Sequence, residues 1–537
     1  MPRQAIRDPD HWLLVVAFLL LFLCGIQLLI FPFGRSQAAY ALLGRAIVAG
    51  YAPVKDAWTA QSPGIGLLHA AIQVTLGRSM MAFRAIETIA VVGVVLAATR
   101  ITKRWVGLER AGLIGGAVFA LTYIQLEIDQ TGQPEFFGGV LLLHAISLLS
   151  RDPSPRNSKI TATLLGLLLG LTVLLVPCLV VAIIPFAWLL IHREKSQSLR
   201  PSAPWLVGGC IFVGFAAPLA CFATWLAATG TGTIFVRDWL NPVARLWLSN
   251  SVIDWASQIF DVAYNLTLRQ SALLTAGLLA TFTLGTIHEH ERAGRRLLLL
   301  ITVAAAVGLA VERNDSPGTL AAAYPMISTL AGIGIYKAWR RIMTQGVVGS
   351  VAFATTAILL FQMCSPVNYP PGRFLQRSKV RLLFLSGLAP YHSREMLESE
   401  LYNSKDYSLT ASRRLASDLR ERSLSNRDVW IDSDDPQLAW LLEDVPKWRF
   451  LRPVPAAIAH GAPNLKRRAD DEAALTKPQV IVLADQSTDG RRAIALPQAL
   501  RVEYALLESQ DNWNVMQRVP AKPRPLDDSE FCDPNSN

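Results

Sequence analysis

Charge is scarce in this chain. Of its 537 residues only 17% are Asp, Glu, Lys or Arg, while 52% are hydrophobic and the mean hydropathy is +0.32. A soluble domain carries about 25% charge, so the composition excludes a soluble enzyme, a disordered chain and a coiled coil. Cysteines are few. Cys24, Cys178, Cys210 and Cys221 lie in apolar runs, Cys364 ends one, Cys532 is in the tail, and no CxxC pair occurs. Neither a disulfide framework nor a zinc site can be read from them. Internal repeats and low-complexity tracts are also lacking.

What the chain has is long apolar runs. A membrane span needs ~20 mostly apolar residues. Trp12–Phe33 is the first, uncharged throughout and too long for a cleavable signal, so it reads as a retained anchor. Further spans are expected at Met81–Ala98, Ala111–Leu126, Phe136–Leu149, Thr161–Leu175, Cys178–Ile191, Trp205–Ala227, Ser271–Ile287, Leu297–Val311, Thr319–Tyr336 and Gly346–Cys364. That makes about 11 transmembrane helices, within a range of 10–12, because the run 160–191 is split only by Pro177, which breaks the backbone ladder.

Net charge is +10, and it has an address: residues 1–364 hold 27 Lys and Arg against 17 Asp and Glu, while residues 365–537 hold 24 of each. With the N-terminus inside, alternate loops hold 18 cations, and the short outside loops hold only Arg313. Such asymmetry is the signature of cytoplasmic loops and not of a nucleic-acid surface. It puts the N-terminus in the cytoplasm and residues 365–537 outside. Asp428–Asp432 and Gln479–Leu483 read there as buried strands, and Glu395–Leu401 and Thr410–Arg422 as helices. The expected domains are therefore a transmembrane unit 1–364, a soluble extracytoplasmic α/β domain 365–519, and a disordered tail 520–537 rich in Pro, Asp, Ser and Asn.

The first outside segment, residues 34–80, far exceeds what a hairpin between spans requires. Two amphipathic helices, near Gln37–Ala49 and Gly64–Leu76, suit the membrane interface and are joined by a Gly/Pro-rich turn. Long outside loops are where sites are built. The segment carries Gly34, Arg35, Gln37, Tyr40, Gly50, Pro53, Asp56, Trp58, Pro63 and Gly64, followed by Arg84 opening the second span. Gln133, Pro134 and Glu135 precede the fourth span, and Tyr324-Pro325 opens the tenth.

In this pattern, over roughly its first 340 residues and in its α/β tail, the chain resembles the GT-C membrane glycosyltransferases, including the protein O-mannosyltransferase-like (family 39-like) and lipid A aminoarabinose transferase-like groups. The resemblance implies a GT-C-like α-helical polytopic fold and transfer of a sugar from a polyprenyl-phosphate donor to an extracytoplasmic lipid, glycan or protein, in a bacterial inner membrane. The family's catalytic Asp falls on Ser36, and a later Asp and Lys fall on Thr59 and Gln61; the first-loop motif is degenerate. Two other classes therefore stand beside the enzyme: a non-catalytic relative that binds lipid-linked glycans, and a lipid-linked sugar transporter or flippase. Against a transporter, the spans are nearly free of mid-span charge.

Such a transfer needs a carboxylate to take the acceptor proton and cations to hold the leaving phosphate. Glu135, Asp56 and Asp129 are the candidate catalytic acids. Each also has a structural reading, at a helix N-terminus, in a turn or as a solvated loop acid. Arg35, Lys55 and Arg84 are the candidate phosphate-binding cations, although Arg84 can equally snorkel to the interface. His69 reads as an interfacial helix residue. No metal ligand set is legible, and a divalent cation beside the phosphate stays open.

Overall fold

The apolar runs become helices in a computed structural model, which describes residues 9–59, 61–150, 158–186, 203–242, 244, 252–267, 272–284, 289–311, 319–343, 346–363, 371–388, 390–404, 407–425, 428–432, 436–442, 478–484, 504–510 and 513–518. The expected tail 520–537 lies outside the described residues.

The membrane unit contains α1 (Pro9–Leu29), α2 (Arg35–Val48), α3 (Pro63–Leu76), α4 (Met80–Trp105), α5 (Glu109–Ile124), the single turn α6 (Glu127–Gln130), α7 (Pro134–Leu149), α8 (Ser158–Leu175), α9 (Ala203–Ala228), α10 (Val252–Thr267), α11 (Ala272–Thr283), α12 (Glu289–Val311), α13 (Tyr324–Met343) and α14 (Gly346–Met363). Three helical stretches are each long and apolar enough to cross a membrane unaided: His11–Leu29, Met80–Trp105 and Trp205–Ala228. Shorter apolar helices stand among them, including Pro134–Leu149 and Leu273–Thr283.

The break expected at Pro177 is present. α8 stops at Leu175 and a 3₁₀ turn, Pro177–Ala182, follows, because proline has no N–H to continue the ladder. α12 starts eight residues before its expected span. Its first turns carry charge, and that charge is neutralised internally: the buried Glu291 carboxylate accepts from Lys337 of α13 and lies 3.6 Å from Arg295 Nε.

Packing among apolar helices relies on close backbone approach. In the α8–α9 seam a Cβ at Gly166 would sit 2.0 Å from the Ile211 carbonyl oxygen, and one at Gly214 would sit 2.1 Å from that of Thr163. Only glycine permits that contact. α5 packs similarly between α4 and α13.

Past residue 364 come α15 (Pro371–Leu385), α16 (Arg394–Leu401), a two-residue strand pair β1 (Asn403–Ser404) and β2 (Tyr407–Ser408), α17 (Leu409–Glu421), β3 (Val429–Asp432), α18 (Gln437–Leu441), β4 (Val480–Ala484), β5 (Tyr504–Gln510) and β6 (Trp513–Arg518). The sheet runs in the order β3-β4-β6-β5, with β3 parallel to β4 and the other pairs antiparallel. Leu415 and Leu419 of α17 cover Val429, Val480, Val482 and Val515 in a small core of its own. β3 and β4 match the expected strands. The β5–β6 hairpin and α15 were not anticipated: Tyr504–Gln510 does not alternate, and α15 interrupts its apolar face with four cations.

The tail unit packs directly on the membrane unit. Leu397, Leu401, Tyr402 and Trp440 belong to the same buried cluster as the membrane helices. The Arg45 guanidinium lies 4.3 Å from the Trp440 ring centroid and donates to the carbonyls of Trp440 (3.0 Å) and Leu442 (2.9 Å). Gln437 donates to the Phe33 carbonyl. These contacts settle α18 on the start of the 34–80 loop.

Candidate active site

The loop end of the bundle is built around the start of α2. Gly34 caps this helix, and its N–H donates to Gln37 Oε1 at 3.0 Å. The Gln37 amide in turn donates to the carbonyls of Ile128 (3.1 Å) and Thr131, tying α2 to the α6 turn. A Cβ on Gly34 would stand 2.3 Å from the Ile128 carbonyl oxygen and 2.8 Å from Asp129 Cα. Glycine at 34 is thus what lets the α6 turn lie against the first turn of α2.

Arg84 holds this junction together. Its Nε donates to the Phe31 carbonyl (3.2 Å), Nη2 to Pro32 (2.5 Å) and Gln37 Oε1 (2.6 Å), and Nη1 to Glu87 (2.5 Å) and Thr131 Oγ1 (3.2 Å). Glu87 also accepts from the Tyr123 hydroxyl, whose oxygen accepts the Gly132 N–H at 2.7 Å. Arg84, Glu87 and Tyr123 are all buried. A guanidinium has five N–H groups, and the protein takes all of them. Arg84, expected to grip a lipid phosphate, donates here to Phe31, Pro32, Gln37, Glu87 and Thr131 instead, which leaves no N–H over for a phosphate in this arrangement.

Asp129 lies at the mouth of the same junction. Its carboxylate accepts the Arg35 backbone N–H and faces the Arg35 guanidinium, with Glu127 and Arg377 nearby. Desolvation by its neighbours raises the carboxyl above its ordinary 3.8, against the pull of Arg35. The residue as a whole nevertheless remains solvent-exposed. A carboxylate in a crowded but open recess meets both descriptions.

Glu127 was passed over in the sequence, as were its partners. Arg377 of α15 holds the buried Glu127 carboxylate in a fork, Nε to Oε1 and Nη2 to Oε2, both at 3.1 Å, and Arg381 donates to the same Oε2. The Arg381 guanidinium is buried, 4.5 Å from the Phe31 ring centroid and 3.2 Å from the Tyr402 hydroxyl. Burial raises the Tyr402 hydroxyl pKa, opposed by Arg381. Glu127 adopts φ 57°, a left-handed conformation that a non-glycine residue holds at a cost. The sequence signal was the i, i+4 pair Arg377 and Arg381 on one helix face, but without the helix it carried no meaning.

The remaining candidates are dispersed. Asp56 closes its own turn, accepting the Ala52 N–H at 2.8 Å beside Val54 at φ 69°, and Lys55 is exposed there. That turn docks elsewhere: Trp58 Nε1 donates to the Asp238 carbonyl (3.2 Å), and Trp239 Nε1 to that of Gln61 (3.1 Å). Glu135 is the second residue of α7 and only 2% exposed. Gln133 before it links Tyr40 and the Asp129 carbonyl, both at 2.9 Å. His69 stacks on Phe83 at 4.2 Å between centroids, and burial, then Arg84, lowers its pKa to about 3.

The structure thus joins Arg35 and Asp129 with Glu127, Arg377 and Arg381: three cations against two carboxylates. Such an excess suits an anionic group. It does not suit a divalent cation, since both Glu127 oxygens are held by arginine. Among the described residues no three His, Cys, Asp or Glu side chains gather as a ligand set.

No family model and no curated protein matches the chain. Solved structures do. The crystal structure of ArnT from Cupriavidus metallidurans bound to undecaprenyl phosphate aligns with a TM-score of 0.54 at 11% identity, covering 96% of this chain and all of that one. Its apo form aligns with a TM-score of 0.56 at 13% identity, over 96% of this chain and 99% of that one. Near-complete coverage of both chains includes the helices, the long first loop and the α/β tail together, and the chain has the GT-C-like fold of a polytopic membrane protein.

Proposed function

We propose that the protein transfers a sugar from a polyprenyl-phosphate donor to an extracytoplasmic acceptor, with Asp129 taking the acceptor's proton. In this reaction the acceptor oxygen or nitrogen bonds to the anomeric carbon as the carbon–phosphate oxygen bond breaks. Polyprenyl phosphate leaves, and the acceptor proton passes to Asp129. Arg35 faces the developing phosphate charge, and the net cation of the Arg377–Arg381–Glu127 group adds to the field there. The solved relative with undecaprenyl phosphate bound supports a lipid of this type. So does a cavity of about 670 Å³ lined almost wholly by apolar groups, among them Gly64, Leu67, Leu171, Leu175, Phe222 and Trp225. A polyprenyl chain has no polar atom below its phosphate and asks for such walls.

The observation that carries the reading is the address of Asp129. In the family the acid belongs where this chain has Ser36. Asp129 arrives from another loop and binds the backbone of Arg35, the adjacent residue. A carboxylate is thereby returned to the first turn of α2 by a different route. Glu135 and Asp56, the acids first expected, occupy a helix start and a closed turn.

Transfer from a polyprenyl-phosphate sugar tests this. Loss of a positioned base costs ~10²–10⁴-fold, so Asp129→Asn should fall by that factor, and Ser36→Asp in the same background should restore much of it. Full activity in Asp129→Asn would remove the base assignment, and Glu135→Gln and Asp56→Asn would then be the comparisons that matter. Ser36 itself favours one other reading, a non-catalytic relative: a wild type inert with every donor, gaining transfer on Ser36→Asp, would establish it. The 18 cations of alternate loops support a cytoplasmic N-terminus with the tail outside.

A further inference from the structure

Glu127 opens the α6 turn at φ 57°, a conformation that a Cβ disfavours and that glycine adopts freely. Five residues on, at φ 63°, the same loop uses Gly132. Position 127 has a long acid instead, and its carboxylate is held by the tail. Arg377 forks both oxygens at 3.1 Å, and Arg381 donates to Oε2. Arg381 is braced in turn. Its guanidinium lies 4.5 Å from the Phe31 ring centroid, and its Nε donates to the Tyr402 hydroxyl at 3.2 Å. The Phe31 carbonyl accepts from Arg84. The fork thus rests on α15, on Tyr402 after α16, and on the frame that carries α2.

What the fork holds is a short lever. The Glu127 carbonyl accepts the Thr131 N–H at 3.1 Å and closes the turn, and Asp129 sits inside that turn. Asp129 in turn accepts the Arg35 backbone N–H. A change of φ at 127 rotates the residues after it, so the Asp129 carboxylate shifts against the first turn of α2.

We propose that the tail holds Glu127 in its left-handed conformation and thereby sets where the Asp129 carboxylate stands. Glu127 and Arg377 are positioning residues, and α15 is part of the site. What Asp129 does there rests on the transfer reading; its placement does not. The direction of the effect separates positioning from charge. Removing the Glu127 carboxylate leaves a larger net positive charge on the group, which by itself favours departure of a phosphate. Positioning predicts the reverse, because a displacement of about 1 Å can cost ~10²-fold.

The test compares Glu127→Ala with Glu127→Gly in the full, detergent-solubilised chain. Both leave the same two arginines without their carboxylate, so the difference between them reports the backbone alone. Glu127→Ala should lower kcat by about tenfold or more, with the donor KM within about twofold of wild type. Glu127→Gly should be about fivefold more active than Glu127→Ala. That inverts the usual order, in which glycine is the poorer helix residue. Arg377→Lys keeps the charge, loses the fork, and should also lower kcat without changing KM. Hydrogen exchange at Thr131 should follow the same order, slowest in wild type and fastest in Glu127→Ala. Equal Ala and Gly variants, or a less active and faster-exchanging Gly variant, would overturn the proposal. A loss confined to KM, or a rise in kcat, would overturn it too. If neither Glu127 variant folds, Arg377→Lys decides by kcat and by exchange at Thr131. A wild type inert with every polyprenyl-phosphate sugar would defeat the transfer reading, and the exchange order at Thr131 would then decide this one by itself.

Discussion

Replacing Glu127 with Gln removes the carboxylate that pairs with both Arg377 and Arg381, and the consequences can be worked from the geometry. Arg381 is fully buried, Glu127 nearly so, and the Arg377 side chain is 14% exposed. Breaking a buried pair from one side costs ~3–5 kcal/mol, because the charge left behind has lost its partner in a poorly solvated place. Arg377 retains some water, so a value of about 3 kcal/mol is expected. The loss should be local. Glu127 joins α15 to the α6 turn, and its removal should loosen that joint before the bundle. Hydrogen exchange of the α15 amides in the detergent-solubilised protein reads this opening directly. At 1.4 kcal/mol per tenfold, exchange should accelerate about 10²-fold, while α4 and α5 keep their protection. Adding Arg381→Met removes the stranded buried cation and should recover part of the loss, since replacing both charges with apolar groups is often close to neutral. An acceleration below about threefold in Glu127→Gln, or a double variant as loose as the single, would refute the argument that this ion group joins tail to membrane unit.

The remaining predictions concern the site and the frame around it. The Asp129 carboxyl lies above its ordinary 3.8 and must be ionised to accept a proton, so kcat/KM should rise with pH along a limb centred above 3.8; a limb below that value contradicts the assignment. Glu127 is one of the charges that raise Asp129, so in Glu127→Gln the same limb should move to lower pH. Gly34→Ala places a methyl 2.3 Å from the Ile128 carbonyl oxygen and should reduce transfer at least tenfold while the α8–α9 seam keeps its exchange protection; wild-type transfer would show that the α6 turn need not touch α2. Arg84→Lys offers three donors for five contacts and should reduce the yield of folded protein, whereas a normal yield with weakened polyprenyl-phosphate binding would return Arg84 to the ligand. A reporter fused after residue 364 should be active only in its extracytoplasmic form.

Much of the frame follows from the sequence alone. The apolar runs, Pro177, and the two helices of the 34–80 loop are local properties: hydropathy, a missing N–H and a 3.6-residue period act within one turn of the residue that carries them. β3 and β4 were legible for the same reason, being short apolar stretches between polar ones. The site was legible only as residue types. Arg35 and Asp129 were both candidates, but nothing in a sequence brings positions 94 apart together. That took Gly34 admitting the α6 turn, Gln37 bonding to it, and Arg84 fixing both. Arg84 shows the limit most plainly: a cation at a helix start reads the same whether it faces a phosphate or the protein, and only the five surrounding acceptors decide. Glu127 is the converse case. It is an acid among many in the sequence and becomes notable only when α15, hidden by its own four cations, carries Arg377 and Arg381 to it from 250 residues away. Local patterns fix where helices form, whereas the partner of a buried charge is set by which surfaces the packed helices bring face to face.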